Sequence, residues 1–190
     1  MKKIKISYNA PMTLSFVLTC FAVTLIGFLT DNSVTEILFM TTRSSSRDPL
    51  TYIRLFTHIL GHTDWTHFLS NAVYLLLLGP MLEEKHGPGT LIHTYFFTAI
   101  VAGIINYIFF PEATLCGANG VVFAFILLAS FTGFQSGQIP LSFIIVVIFF
   151  IGDQLYGGTL LQIDLPNTSH IIGGFFGAVL GYNLNKNKQR

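Results

Sequence analysis

The sequence predicts an all-α, polytopic membrane protein: a bundle of six transmembrane helices with a long, partly helical first external loop. Three observations predict it. Hydrophobic residues make up 52% of the 190 residues, and the mean hydropathy is +0.63. Charged residues make up 10%, against roughly 25% in a soluble domain. Apolar segments on the scale needed to cross a bilayer recur six times. So few charges cannot cover a water-facing surface of this size, which excludes a soluble globular enzyme and a disordered chain. The length fits one domain over residues 1–190, with 1–11 as a cytoplasmic N-terminus and 185–190 as a cytoplasmic tail.

The first expected span is Met12 to Thr30. Lys2, Lys3 and Lys5 precede it, as in a signal peptide, but the apolar run is long and no small-x-small cleavage site follows. The others are Trp65 to Leu82, Thr90 to Phe110, Ala118 to Phe134, Leu141 to Leu155 and Ser169 to Leu184. The connection from Asp31 to Asp64 is too long for a simple turn. Its apolar clusters, Ile37 to Met40 and then Ile53, Leu55 and Phe56, predict short helices resting in the membrane interface.

Six spans put both termini on one side. With that side cytoplasmic, Lys2, Lys3, Lys5, Lys85, Lys186, Lys188 and Arg190 lie inside, and Arg43, Arg47 and Arg54 outside. Seven against three obeys the positive-inside rule. A net charge of +1 with no basic block argues against nucleic acid as a partner. Cys20 and Cys116 are too few for a disulfide framework or a cysteine zinc site. A transporter would show inverted repeats or broken helices, and no second half matches the first. The short chain, with no extra domain or transit peptide, leads to the expectation of a bacterial plasma membrane.

Polar residues within spans are costly and point to function. His67 and Asn71 stand at i and i+4 on one helical face. Two such donors aimed at one point stabilise a developing oxyanion, or else they tie neighbouring helices together. His170 opens the sixth span, and Gly173, Gly177 and Gly181 follow as overlapping GxxxG pairs that allow close helix approach. The expected partner face is the start of the fourth span, Cys116-Gly117-Ala118-Asn119-Gly120, where Gly120 and Ala124 form another small-xxx-small pair. Asn-Gly read alone is a turn or N-cap signal. His58 and His62, with Asp64 nearby, admit either a metal or structural hydrogen bonding. His86 and His93 carry no chemical signal.

With these residues in order, the sequence resembles the rhomboid family of intramembrane serine proteases from about Tyr52 to Tyr182. Arg54-Leu55-Phe56-Thr57-His58 is similar to the family's Trp-Arg stretch, with Ile53 in the tryptophan's place. His67 to Asn71 matches HxxxN, Glu83 the acidic turn, Gly117 to Gly120 the GxSG motif, and His170 to Gly177 the last histidine with GxxxG. The resemblance implies cleavage of peptide bonds in or beside membrane helices by a Ser–His dyad, without metal or organic cofactor. It implies His170 as general base and His67, Asn71 and backbone N–H groups near Ala118 as the oxyanion hole. The expected partners are a transmembrane substrate or client and the lipid bilayer. The fifth span and the loop after Phe134 would form a lateral gate.

The chain departs from the motif at Asn119, where the family carries its nucleophilic serine. A carboxamide has no hydroxyl to deprotonate, and its nitrogen lone pair is delocalised. The chain as written is therefore expected to be inactive, whether Asn119 marks a natural pseudoprotease or an inactivating change. Cys116, three residues earlier, is a weak substitute. Ser130 lies about 16 Å further along the helix, and Ser136 and Ser142 lie beyond it.

Overall fold

The structure, a computed structural model, describes residues 8–42, 44–110, 112–131, 141, 144–145, 147–148 and 168–188, without the side chains of 168–170, 181–182 and 184–188. Its helices are α1 (Pro11–Leu29), α2 (Ser33–Leu38), α3 (Pro49–Thr57), α4 (Trp65–His86), α5 (Pro88–Phe109), α6 (Asn119–Phe131) and α7 (Thr168–Lys188). Among the described residues there is no strand, and one antiparallel bridge joins Thr41 to Leu115. The expected fifth span falls almost entirely outside the described residues, and so do the gate segment after Phe134, Lys2, Lys3, Lys5, Arg43, Ser136, Ser142 and Arg190.

Helices α2 and α3 occupy the first loop, where the apolar clusters predicted short helices. Pro49 opens α3 and the Asp48 carboxylate caps it, accepting from the Leu50 N–H at 3.0 Å. Among the described residues, α1 and α5 are long and apolar enough to cross a bilayer, with mean hydropathies of 2.2 and 1.6 over their best windows. Six such helices were expected; the fifth falls almost entirely outside the described residues, and the others differ in composition or in how far they are described. The 22 residues of α4 include His67 and Asn71 near one end and Glu83 to His86 at the other, which dilute its apolar stretch. The expected fourth span runs on past Phe131, where the described residues of α6 stop.

Helix α6 is the axis of the fold. Val121, Val122, Phe125 and Leu128 are buried on successive faces, the pattern of a helix surrounded by others. They meet Phe16, Val17 and Cys20 of α1, Leu75 of α4 and Tyr95 and Ala99 of α5 in one core. Phe16 and Tyr95 stack with centroids 4.2 Å apart.

Close contacts set the neighbours of this core. Gly79 of α4 lies where any Cβ would strike Thr13. One turn later the buried Glu83 carboxylate accepts from the Met12 and Thr13 backbone N–H groups and from Thr13 Oγ1, each at 2.9 Å. The N-terminus of α1, which has orphan donors by nature, is thus capped by a side chain from the end of α4. Gly103 brings α5 against the Leu55 backbone of α3. Gly173 and Gly177 bring α7 against the backbones of Gly120 and Ala124 in α6.

Candidate functional site

The site begins at the head of α4. Asp64 is the N-cap, and its Oδ1 accepts from the His67 N–H at 2.8 Å. That bond holds the Asp64 carboxyl below its usual range. The cap fixes where the first turn of α4 starts, and hence where His67 stands. Asn71 follows one turn deeper and is buried. Its Nδ2 has no hydrogen-bond partner among the described residues, so a donor is left available inside the fold.

The second wall is the segment entering α6. The Thr41 N–H donates to the Leu115 carbonyl at 2.9 Å, the Leu115 N–H donates to Thr41 Oγ1 at 2.7 Å, and Asn106 Nδ2 donates to the Ala113 carbonyl at 2.7 Å. The Gly117 N–H then donates to the His58 carbonyl at 2.8 Å. Gly117 has φ +123°, a conformation side chains rarely adopt. A Cβ there would lie 2.5 Å from His67 Cε1. Glycine is required on both counts, and its bare backbone lets the imidazole approach.

Asn119 is the first residue of α6 and is buried. Its Oδ1 lies 3.2 Å from His67 Nε2. With the carboxamide oxygen as acceptor, Nε2 donates and carries the proton. Two residues that the motifs singled out 52 positions apart are thus hydrogen-bonded. Ala118 is fully buried beside them, and its carbonyl accepts from the Val122 N–H at 2.9 Å. His170 stands in the first turn of α7, three residues before the Gly173–Gly120 contact. Its side chain lies outside the described residues.

The alternative nucleophiles gain nothing from this geometry. Burial, with the Asp64 charge adding to it, pushes the Cys116 thiol up to about 12, so it holds almost no thiolate near neutral pH. Ser130 Oγ donates to the Ile126 carbonyl within α6. Burial also lowers His58 to about 4 and His62 to about 3, leaving both neutral. Among the described residues no three His, Cys, Asp or Glu side chains gather where a metal could bind. A cavity of about 10 Å³, at the threshold for one water, touches His58, Thr98, Gly117, Asn119 and Gly120.

Comparison with known proteins shows the family. The rhomboid domain matches residues 49–187, most of the chain and all of His67, Asn71, Asn119 and His170. The chain belongs to the rhomboid family. Membership makes it an integral membrane protein with a helical bundle. Rhomboid-like protein 11, chloroplastic, of Arabidopsis thaliana is 25% identical over 140 residues, covering 66% of this chain and 50% of that protein. Rhomboid protease GlpG of Haemophilus influenzae is 25% identical over 134 residues, covering 68% of each. Rhomboid-like protease 3 of Toxoplasma gondii is 32% identical over 73 residues, covering 38% of this chain and 28% of the other. The chain therefore spans half or less of the plant and Toxoplasma relatives.

Two contacts, one at the site and one in the fold, were not legible in the sequence. Reading the sequence left His62 between a metal and structural hydrogen bonding, and its ring lies 5.0 Å from that of His67. Glu83 was visible only as an acidic turn, whereas it is buried and caps a distant helix.

Proposed function

We propose that the chain is an intramembrane serine endopeptidase by descent, built to cut peptide bonds in or next to transmembrane helices and disabled at its nucleophile. The observation that carries this reading is the contact between His67 Nε2 and Asn119 Oδ1 at the head of α6. In the family's arrangement a serine at this position attacks the scissile carbonyl. His170 takes the hydroxyl proton as general base and returns it to the leaving amine as general acid. The carbonyl oxygen becomes an oxyanion held by His67, Asn71 and backbone N–H groups near Ala118. The unpartnered Asn71 Nδ2 and the donating His67 Nε2 suit that task. Asn119 supplies no hydroxyl, so the first step is missing. The scaffold for this chemistry is read as six spans with both termini cytoplasmic, the orientation that the lysine and arginine asymmetry favours.

The test is a gel assay of purified protein with a transmembrane substrate. The chain as written gives no cleavage. Asn119→Ser restores it, by a factor on the order of 10⁶ if the remaining machinery is complete. His170→Ala in the restored background abolishes it again. Silence of a folded Asn119→Ser protein overturns the reading.

A second reading is a pseudoprotease that binds membrane-helix clients without cutting them. It is favoured by the same bond, because the Asn119 carboxamide satisfies His67 as a built-in part of the fold. Crosslinking and pull-down in membranes would then enrich helical partners equally with Asn119 or with Ala at that position. No enriched partner sinks this second reading.

A further inference from the structure

We propose that His62 and Gly117 are positioning residues that fix the plane of the His67 imidazole and so aim its Nε2–H at the position Asn119 occupies. The inference rests on the reading of His67 as an oxyanion donor, but its first readout needs no catalysis.

A histidine ring on a helix turns broadly about its second side-chain torsion. Among the described residues the polar tie of the His67 ring is its single bond to Asn119. That bond leaves the ring free to tilt about the Nε2···Oδ1 line. Two apolar contacts remove this freedom. The backbone of Gly117 closes on the Cε1–Nε2 end of the ring, so tightly that a Cβ would lie 2.5 and 2.6 Å from those atoms. The His62 ring meets the His67 ring with centroids 5.0 Å apart and planes at 71°, an edge-to-face arrangement. His62 is itself held edge-on against Phe68, with centroids 5.6 Å apart.

His62 is otherwise hard to explain. It is 1% exposed, and among the described residues neither ring nitrogen has a hydrogen-bond partner; the Leu60 backbone approaches without completing a bond. Its titratable neighbours are His67 and Asp64, and burial keeps it neutral. No metal-binding group forms around it among the described residues. A buried imidazole that uses neither nitrogen acts through its shape. A phenyl ring of similar outline should therefore do the same work, and a methyl group should not.

The experiment uses the full chain, labelled with ¹⁵N-histidine in bicelles, with the signal of His67 assigned from His67→Gln. The chain as written should show His67 in one Nε2–H tautomer. His62→Ala should shift it to a mixture of tautomers, and His62→Phe should rescue the single form. In the Asn119→Ser background, His62→Ala should lower kcat about tenfold with KM unchanged, as expected of a mis-aimed transition-state donor, and His62→Phe should recover most of the loss. A His67 tautomer unchanged by His62→Ala overturns the proposal. A His62→Phe spectrum as mixed as that of His62→Ala also overturns it, because the nitrogens and not the ring outline would then matter. If His62→Ala does not fold, the His62→Phe spectrum decides alone: one tautomer supports the proposal and a mixture defeats it. If Asn119→Ser is silent, the catalytic reading fails while the spectra still decide the role of His62.

Discussion

Serine and asparagine are both small polar residues, and both start helices well. At position 119 the difference is chemical, because Oδ1 accepts from His67 where a serine hydroxyl would donate to a base. The neighbouring histidines are equally constrained. His58 and His62 are held neutral, with folded-state values near 4 and 3, below the ordinary value of about 6.5. Their contribution to stability is complete above about pH 6.5. It declines as the pH falls from there toward the folded values, because the unfolded chain takes up protons that the folded chain refuses. At about pH 5 the loss is roughly 2 kcal/mol for each fully buried ring. His62→Phe removes one of the two terms. The unfolding midpoint in detergent should thus fall between about pH 7 and pH 5, and fall about half as far in His62→Phe. A pH-independent midpoint would contradict burial of these rings as neutral groups.

At the scale of elements, most of the bundle was legible and most of its stitching was not. The apolar runs located α1, α4, α5, α6 and α7 to within a few residues, because helix length and composition are local properties. The pairing of α6 with α7 was legible too, since Gly173 and Gly177 follow a spacing that close helix packing favours. The Glu83 cap on α1 was not legible, because its partners lie 70 and 71 residues away and a carboxylate near Lys85 reads as a solvated turn. The clasp of Thr41 to Leu115 was hidden for the same reason, whereas His62 and His67 are only five residues apart and their contact depends on the path of the loop entering α4. Two predictions belong here. Glu83→Ala leaves three donors at the start of α1 without their acceptor. It should cost about 2–4 kcal/mol in reversible unfolding, with Glu83→Gln costing less because its oxygen still accepts. Gly177→Val drives a branched side chain into the Ala124 backbone. It should separate α7 from α6, cost about 1–3 kcal/mol and abolish any activity restored by Asn119→Ser. Gly89, which has open space around it, should tolerate alanine in the same assays.

At the scale of the whole molecule, the orientation of the bundle decides which aqueous compartment supplies the site. The six-span reading puts Glu84, in the last turn of α4, on the cytoplasmic side. It puts Glu112, in the segment between α5 and α6, on the opposite side. Both residues are exposed. Helix α5 separates them, and its 22 residues extend about 33 Å, enough for one crossing. The native cysteines do not interfere with a thiol probe: Cys20 and Cys116 are both buried, and the Cys116 thiol is held almost wholly protonated. A membrane-impermeant maleimide applied to intact cells should label Glu112→Cys and leave both Glu84→Cys and the chain as written unlabelled. Opening the membrane should then expose Glu84→Cys. The reverse pattern would invert the topology and place the head of α6, with Asn119 and His67, toward the cytoplasm. Labelling of both positions from one side would deny α5 its crossing. The first outcome alone fits a bundle whose cationic ends face inward and whose candidate site opens toward the outer water.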